Sequence, residues 1–184
     1  MRPLGPEKPY AIALLQRGRQ LQDATLVIRH ARPDEAGIVF SLIKELAAYE
    51  KLAHEVVATE ATIADALFSE NPWLFCELAE WNGEVAGFAV WFVNFSTFAG
   101  RHGIYLEDLF VRPAFRRNGI GQALLGHLAR HCVDRGWARL QWSVLDWNAP
   151  SITFYKSLGA ELMDEWTLCK VTGAALGKLA ANAP

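Results

Sequence analysis

Cysteine is scarce in this chain, three in 184 residues, and Cys76, Cys132 and Cys169 lie far apart with no Cys-x-x-Cys spacing. An odd, scattered set argues against a disulfide framework and for a reducing, cytoplasmic setting. An excess of one charge is also missing. Lys and Arg number 18 against 20 Asp and Glu, a formal net charge of −2, whereas a nucleic-acid surface needs a basic face. No apolar run approaches the ~18 residues that suggest a membrane span. The short run at 11–15 lacks the length and the cleavage pattern of a signal core. Repeats and low-complexity tracts are absent. What is present is 52% hydrophobic and 21% charged residues. That composition predicts one packed domain, at about 150 residues per domain, with an extension.

Residues 1–24 carry three prolines and no clean periodicity, and are set apart as an N-terminal extension. A strand is predicted at 25–29. Pro33-Asp34 opens a helix in which Ile38, Leu42 and Leu46 recur every four residues to about Tyr49. A second helix is predicted at 60–69 behind Thr59 as N-cap. Strands at 74–81 and 84–96 flank Asn82-Gly83, the signature of a type I′ hairpin. The pattern continues with a strand at 103–112, a helix at 118–135, a strand at 138–145, a helix at 149–157 and a strand at 161–171. This order predicts an α/β (mixed α+β) domain over 25–171, followed by a tail at 172–184.

Residues 111–122 read VRPAFRRNGIGQ between a predicted strand and a predicted helix. Gly119 and Gly121 remove side chains where backbone must turn or approach a ligand. The helix then begins with free N–H groups and its positive dipole end, a ready site for a pyrophosphate. Arg116 and Arg117 add positive charge there. No Gly-Lys-[Ser/Thr] follows, so this is not a P-loop, and Leu124 breaks the dinucleotide fingerprint. The plainer account is a helix start that needs small residues for packing. Gly121, Leu125, Leu128 and Cys132 fall at helical spacing and are expected to face the sheet. His127 and His131 stand at i, i+4, but no third ligand is apparent in sequence. Surface histidines near a helix C-terminus are the expectation, and no metal is expected.

Arg116-x-x-Gly119-x-Gly121 resembles the acetyl-CoA signature of the GNAT superfamily of N-acetyltransferases, Q/R-x-x-G-x-G/A. The segments YLEDLFV (105–111), DWNAPSITFY (146–155) and LIKELAAYE (42–50) look like its diamine and thialysine N-acetyltransferase branch. The resemblance covers about 25–170. It implies a mixed, mostly antiparallel sheet flanked by helices, with acetyl-CoA as co-substrate, and a homodimer. It further implies cofactor contacts from Leu109, Phe110 and Val111, from the loop Arg116, Arg117, Asn118, Gly119, Ile120, Gly121 and Gln122, and from Asn148, Ser151 and Tyr155.

Asn148, Ser151 and Tyr155 are spaced to share one helix face, a polar stripe that a core helix does not need. The plainer account is an Asn cap and an exposed tyrosine. A phenol, with pKa near 10, is protonated at neutral pH and can donate to a departing thiolate. The resemblance gives Tyr155 that role as catalytic acid. Glu107 and Asp108 lie mid-strand, where alternation sends them to opposite faces. The resemblance selects Glu107 to hold the substrate amine and help remove its proton, while Asp108 is expected to be structural, as in a salt bridge. The resemblance implies substrate contacts from Tyr49, Glu50, Glu107, Trp142, Ser143 and Glu165; the plainer accounts are a solvated helix-end acid for Glu50, a structural salt bridge for Glu107 and a core residue for Trp142. The expected activity is acetyl transfer to a small cationic amine: a diamine, a polyamine or a thialysine- or lysine-like molecule. A protein N-terminal or lysine acetyltransferase and a non-catalytic CoA-binding module are the alternatives. No nucleic-acid or membrane partner is expected.

Overall fold

The computed structural model describes residues 24–183 and divides into two compact units, the first ending at Ser143 and the second starting at Val144. The expected N-terminal extension lies almost wholly outside the described residues. The first unit is built on a five-stranded sheet in sequence order: β1 (Leu26–His30), β2 (Phe75–Trp81), β3 (Glu84–Ser96), β4 (Arg101–Val111) and β5 (Leu140–Trp142). Neighbours from β1 to β4 pair antiparallel, and β5 pairs parallel to β4. Helices α1 (Ala36–Tyr49) and α2 (Glu60–Phe68) fall between β1 and β2, and α3 (Ile120–Asp134) between β4 and β5. The second unit holds α4 (Ala149–Ser157) and α5 (Gly173–Ala180). No helix among the described residues is long and apolar enough to cross a membrane.

Local chemistry accounts for several boundaries. Asn82 (φ 53°) and Gly83 (φ 82°) both take the positive φ that a type I′ turn requires. Thr59 caps α2 as expected: its Oγ1 accepts from Thr62 N at 3.2 Å, while Thr59 N donates to Thr62 Oγ1 at 2.9 Å. On α1 the buried stripe is Val39, Leu42 and Leu46, and Ile38 is partly exposed. A period of 3.6 rather than 4 carries the stripe from Ile38 to Val39 within one turn.

The sheet has two faces of different character. Val39, Leu42, Leu46 and Leu67 pack with Cys76, Leu78, Phe88, Val90 and Phe110, alternate residues of β2, β3 and β4. The opposite face receives α3, whose His131 ring meets Trp91 of β3 edge-on at 5.7 Å. Ile120, Leu124, Leu125, Leu128 and Cys132 are its buried positions. His127 and His131 are partly buried rather than free on the surface. His127 is one-third exposed and His131 Nδ1 is buried, and both lie near buried Glu77. The third potential ligand is thus supplied by β2, fifty residues upstream.

Two arginine forks fix the helices to the strands. Arg29 donates to both oxygens of Glu35, at 2.8 and 2.7 Å, and also to Glu80. Arg112, just past β4, donates to both oxygens of Glu45 on α1 and to the Val85 carbonyl at 2.8 Å. Planar guanidinium to carboxylate is the ion-pair geometry with the most directional gain.

Two expected strands differ. The one predicted at 138–145 is only Leu140–Trp142, because β5 leaves β4 after Trp142. The segment 161–171 forms no strand. Its Leu162, Met163, Trp166, Leu168 and Val171 are exposed, and none of the described strands pairs with it. A strand exists only through its neighbour, so β-like composition alone does not produce one.

The Glu35 carboxyl is held at about 2 by the Arg29 fork, against the opposing effect of burial. A depressed acid contributes stability that is present above its unfolded value near 4.3 and lost as pH falls through 2. Glu35→Gln should therefore cost about 3 kcal/mol at pH 7. Urea denaturation at stepped pH should show that difference shrinking from pH 4.5 downward.

Candidate active site

β4 pairs with β5 through Ile104–Leu140, Tyr105–Gln141 and Leu106–Trp142, and there the pairing stops. The Tyr105 and Ser143 hydroxyls, 2.9 Å apart, span the point where the strands part. From Glu107 to Val111, β4 continues with β3 on one side and, among the described residues, no strand on the other. Arg112 N donates to Ala86 O at 2.9 Å, which marks that pair as hydrogen-bonded. Alternation along an antiparallel ladder then turns the N–H groups of Val111 and Leu109 away from β3, into the open edge. The outward carbonyl of Val111 already accepts from Arg116 Nε at 2.9 Å. Gly87 lets β3 close on this segment, since a Cβ there would meet Phe110 O at 2.5 Å.

The register slips just where chemistry was expected. Val90 opposes Asp108 and Trp91 opposes Leu106, so Glu107 is the extra residue of a β-bulge. Simple strand alternation therefore does not hold at Glu107. A bulge re-aims a side chain and bends its strand, and Glu107 is exposed. Asp108 is partly buried on the same face as Val90 and Phe110. Its expected salt bridge is not found among the described residues. Burial, then the charges of Glu107 and Glu50, raise its acid to about 6. Glu50, at the end of α1, is also raised by burial. Glu107 and Glu50 thus both act on Asp108, with no cation among the described residues offsetting it.

The loop after β4 is braced rather than loose. Pro113–Phe115 make one 3-10 turn, and Asn118 Nδ2 donates to Phe115 O at 3.1 Å. Arg117 (φ 67°) and Gly119 (φ 76°) both take left-handed backbone. Ala123 N closes the first helical bond onto Gly119 O at 3.0 Å. The N–H groups of Ile120, Gly121 and Gln122 precede it and have no acceptor within the helix. This is the donor arrangement a pyrophosphate needs. Arg116 braces the loop. Its guanidinium lies 4.5 Å over the Tyr49 ring and 5.6 Å from that of Phe110. It ties the loop to the end of α1, bringing Tyr49 and Glu50 beside the open edge.

In the second unit, Asn148 is buried and its Oδ1 accepts from Ser151 N at 3.3 Å, so it caps α4. Tyr155 is not the exposed tyrosine of the plainer account; it is 8% exposed, its ring 5.4 Å from that of Phe154. Ser151 is half-buried, and Glu165 is exposed in a turn. In the first unit, Trp142 is half-buried at the last β5 pair and Ser143 is exposed beside it. The Glu107 bulge, the raised Asp108 acid and the bracing role of Arg116 were missed from sequence. A bulge leaves no periodic trace when both neighbours are acidic.

An open strand edge beside a glycine-started helix, on a mixed sheet, is the architecture of an N-acyltransferase. The chain belongs to the acetyltransferase (GNAT) family, whose model matches residues 39–160; it is an N-acetyltransferase. It is 36% identical over 170 residues to thialysine N-epsilon-acetyltransferase of Bos taurus, covering 86% of this chain and 99% of the relative. It is 31% identical to L-ornithine N5-acetyltransferase NATA1 of Arabidopsis thaliana, covering 81% and 85%. Among solved structures, an integron cassette protein from the mobile metagenome of V. cholerae superposes with a TM-score of 0.71. That match is 30% identical and covers 84% of this chain and 97% of the other. Acetyltransferases of this family use acetyl-CoA in general.

Because the Asp108 acid is raised, its ionisation opposes folding. That penalty is absent below pH 3.8, grows as pH rises towards 6 and is constant above. Asp108→Asn should gain up to about 3 kcal/mol at pH 8 and nothing below pH 3.8. Parallel denaturation curves at the two ends of that range measure the difference.

Proposed function

We propose that this enzyme transfers the acetyl group of acetyl-CoA to the primary amine of a small cationic substrate, by direct attack in a ternary complex. The substrate class is a diamine, a polyamine or a thialysine- or lysine-like molecule. The observation that carries this reading is the carboxylate group Glu50, Glu107 and Asp108 beside the open edge of β4, with Asp108 raised first by burial and then by the other two charges. Such a group suits a ligand with two positive centres. Relatives named for thialysine, for L-ornithine and for spermidine/spermine support it.

Acetyl-CoA supplies the thioester. The N–H groups of Leu109 and Val111 donate to its carbonyl oxygen as negative charge grows there, from positions fixed in advance by the sheet. The amide donors from Gly119 to Gln122 hold the pyrophosphate, with Arg117 and Asn118 shaping the turn. A substrate ammonium, with pKa near 10.4, must lose a proton before it attacks. Glu107, exposed on its bulge, takes that proton through water. Asp108, with its acid near 6, is the neighbouring carboxylate poised close to neutral pH. Tyr155 donates to the departing thiolate, and Asn148 and Ser151 set the start of its helix. Tyr49, Glu50, Trp142, Ser143 and Glu165 receive the rest of the substrate.

The same reading places the enzyme in the cytoplasm as a homodimer. The exposed apolar residues Leu162, Met163, Trp166, Leu168, Val171, Leu176 and Leu179 support the dimer. A second copy supplies the strand neighbour that 161–171 lacks.

The deciding experiment compares kcat/KM for a diamine, a monoamine of matched length and a peptide amine. One charge pair at 4 Å is worth about 1 kcal/mol in water and about 4 at an effective dielectric of 20. The diamine should lead the monoamine by about fivefold or more. Equal rates would show that the carboxylates do not select a second charge, and preference for the peptide would show a protein acetyltransferase. Tyr155→Phe should lower kcat about 10²–10⁴-fold with the fold intact. A kcat within about twofold of the parent, far short of that general-acid range, would remove Tyr155 as the acid.

A further inference from the structure

A fully buried carboxylate is costly unless it is paired, and Glu77 on β2 has no solvent exposure at all. Neither of its oxygens receives a well-directed hydrogen bond among the described residues. Three imidazoles surround it. His30, its register partner on β1, places Nδ1 3.0 Å from Glu77 Oε1. His127 on α3 places Nε2 3.6 Å from Oε2. His131, one turn further, has its ring 4.8 Å from that of His127 and 6.1 Å from that of His30. Its Nδ1 is also buried without a hydrogen-bond partner.

One ligand atom each from Glu77, His127 and His131 lies within 4.8 Å of the other two. Tetrahedral bonds of ~2.0–2.1 Å would separate neighbouring ligand atoms by about 3.3 Å. The two imidazole-to-carboxylate distances, 3.0 Å to Oε1 and 3.6 Å to Oε2, straddle that value. A protonated His30 would satisfy one Glu77 oxygen and leave the other, with His131 Nδ1, unpaired. A cation among all four, held by both Glu77 oxygens, would satisfy those oxygens and His131 Nδ1 together.

We infer that Glu77, His127 and His131, with His30 as fourth donor, form a structural site for a divalent ion of the zinc class. One carboxylate with imidazole nitrogens is a donor set that such a borderline ion favours. His30, whose side chain is 64% exposed, is the way in. Trp91 closes the inner side, edge-on to His131. The ion staples β1 and β2 to α3. His131 lies twelve residues beyond Gly119, about 18 Å along a helix at 1.5 Å per residue. The site is therefore separate from the acyl-transfer edge and independent of the substrate reading.

The test uses the full chain, stripped with a chelator, and titrates zinc chloride by calorimetry with Tm followed in parallel. One ion per chain should bind and raise Tm. Cobalt(II) in its place should give the intense visible bands of a tetrahedral site. His127 is one-third exposed, so His127→Ala should fold, and Tm of the metal-free variant checks this. It should weaken zinc binding by more than about 100-fold, beyond the loss typical for an outer partner, and abolish the cobalt bands. Glu77→Gln should do the same. A His54→Ala/Cys169→Ser variant, altered only outside the cluster, should bind as the parent does. Absence of submillimolar zinc binding in the parent, or binding that survives His127→Ala, overturns the site.

Discussion

Backbone N–H and C=O groups inside a sheet are almost always partnered, and an unpaired one is costly when kept from water. β4 departs from that rule after Leu106, where β5 turns away at Trp142. The strand is still held from one side by β3, so its free edge is rigid rather than frayed. Leu109 and Val111 present N–H groups there at no further conformational cost. Much else near the site keeps that edge in place: Gly87 lets β3 approach, the Arg112–Glu45 fork ties the end of β4 to α1, and Arg116 covers the Val111 carbonyl. Donors fixed before substrate arrives need little reorganisation when charge develops, which is why such edges suit acyl transfer.

Charge is handled in two ways in this protein. Away from the edge, carboxylates are forked by arginine: Glu35 by Arg29 and Glu45 by Arg112. Beside the edge, Glu50, Glu107 and Asp108 have no such partner among the described residues, and burial, then the charges of Glu107 and Glu50, raise the Asp108 acid. The first arrangement stabilises the fold. The second costs stability and concentrates negative charge beside the edge. Buried Glu77 is a third case, surrounded by imidazoles on the far side of the sheet.

Features set by neighbours in sequence were legible. Asn82-Gly83, the Thr59 cap and the glycine-started helix each depend on a few consecutive residues, and each was placed within two residues. The family and the loop rested on contiguous motifs and were legible for the same reason. Features set by distant pairing were not. The 161–171 segment has strand-like residues, yet the described sheet provides it no neighbour. The Glu107 bulge is a property of the β3–β4 register, and neither strand alone records it. The His127/His131 spacing was visible, but their carboxylate comes from β2 and their fourth donor from β1. The salt bridge expected for Asp108 is not found among the described residues, because tertiary packing brought like charges to it.

The central claim is that the open edge of β4 receives the acyl group of acetyl-CoA through two backbone donors. Amide hydrogen exchange of Leu109 and Val111, followed by NMR with and without acetyl-CoA, tests it directly. Both amides should be strongly protected when acetyl-CoA is bound, while the ladder amides of Phe88 and Phe110 change little. Binding of acetyl-CoA that leaves Leu109 and Val111 exchanging at their free rates would contradict the account.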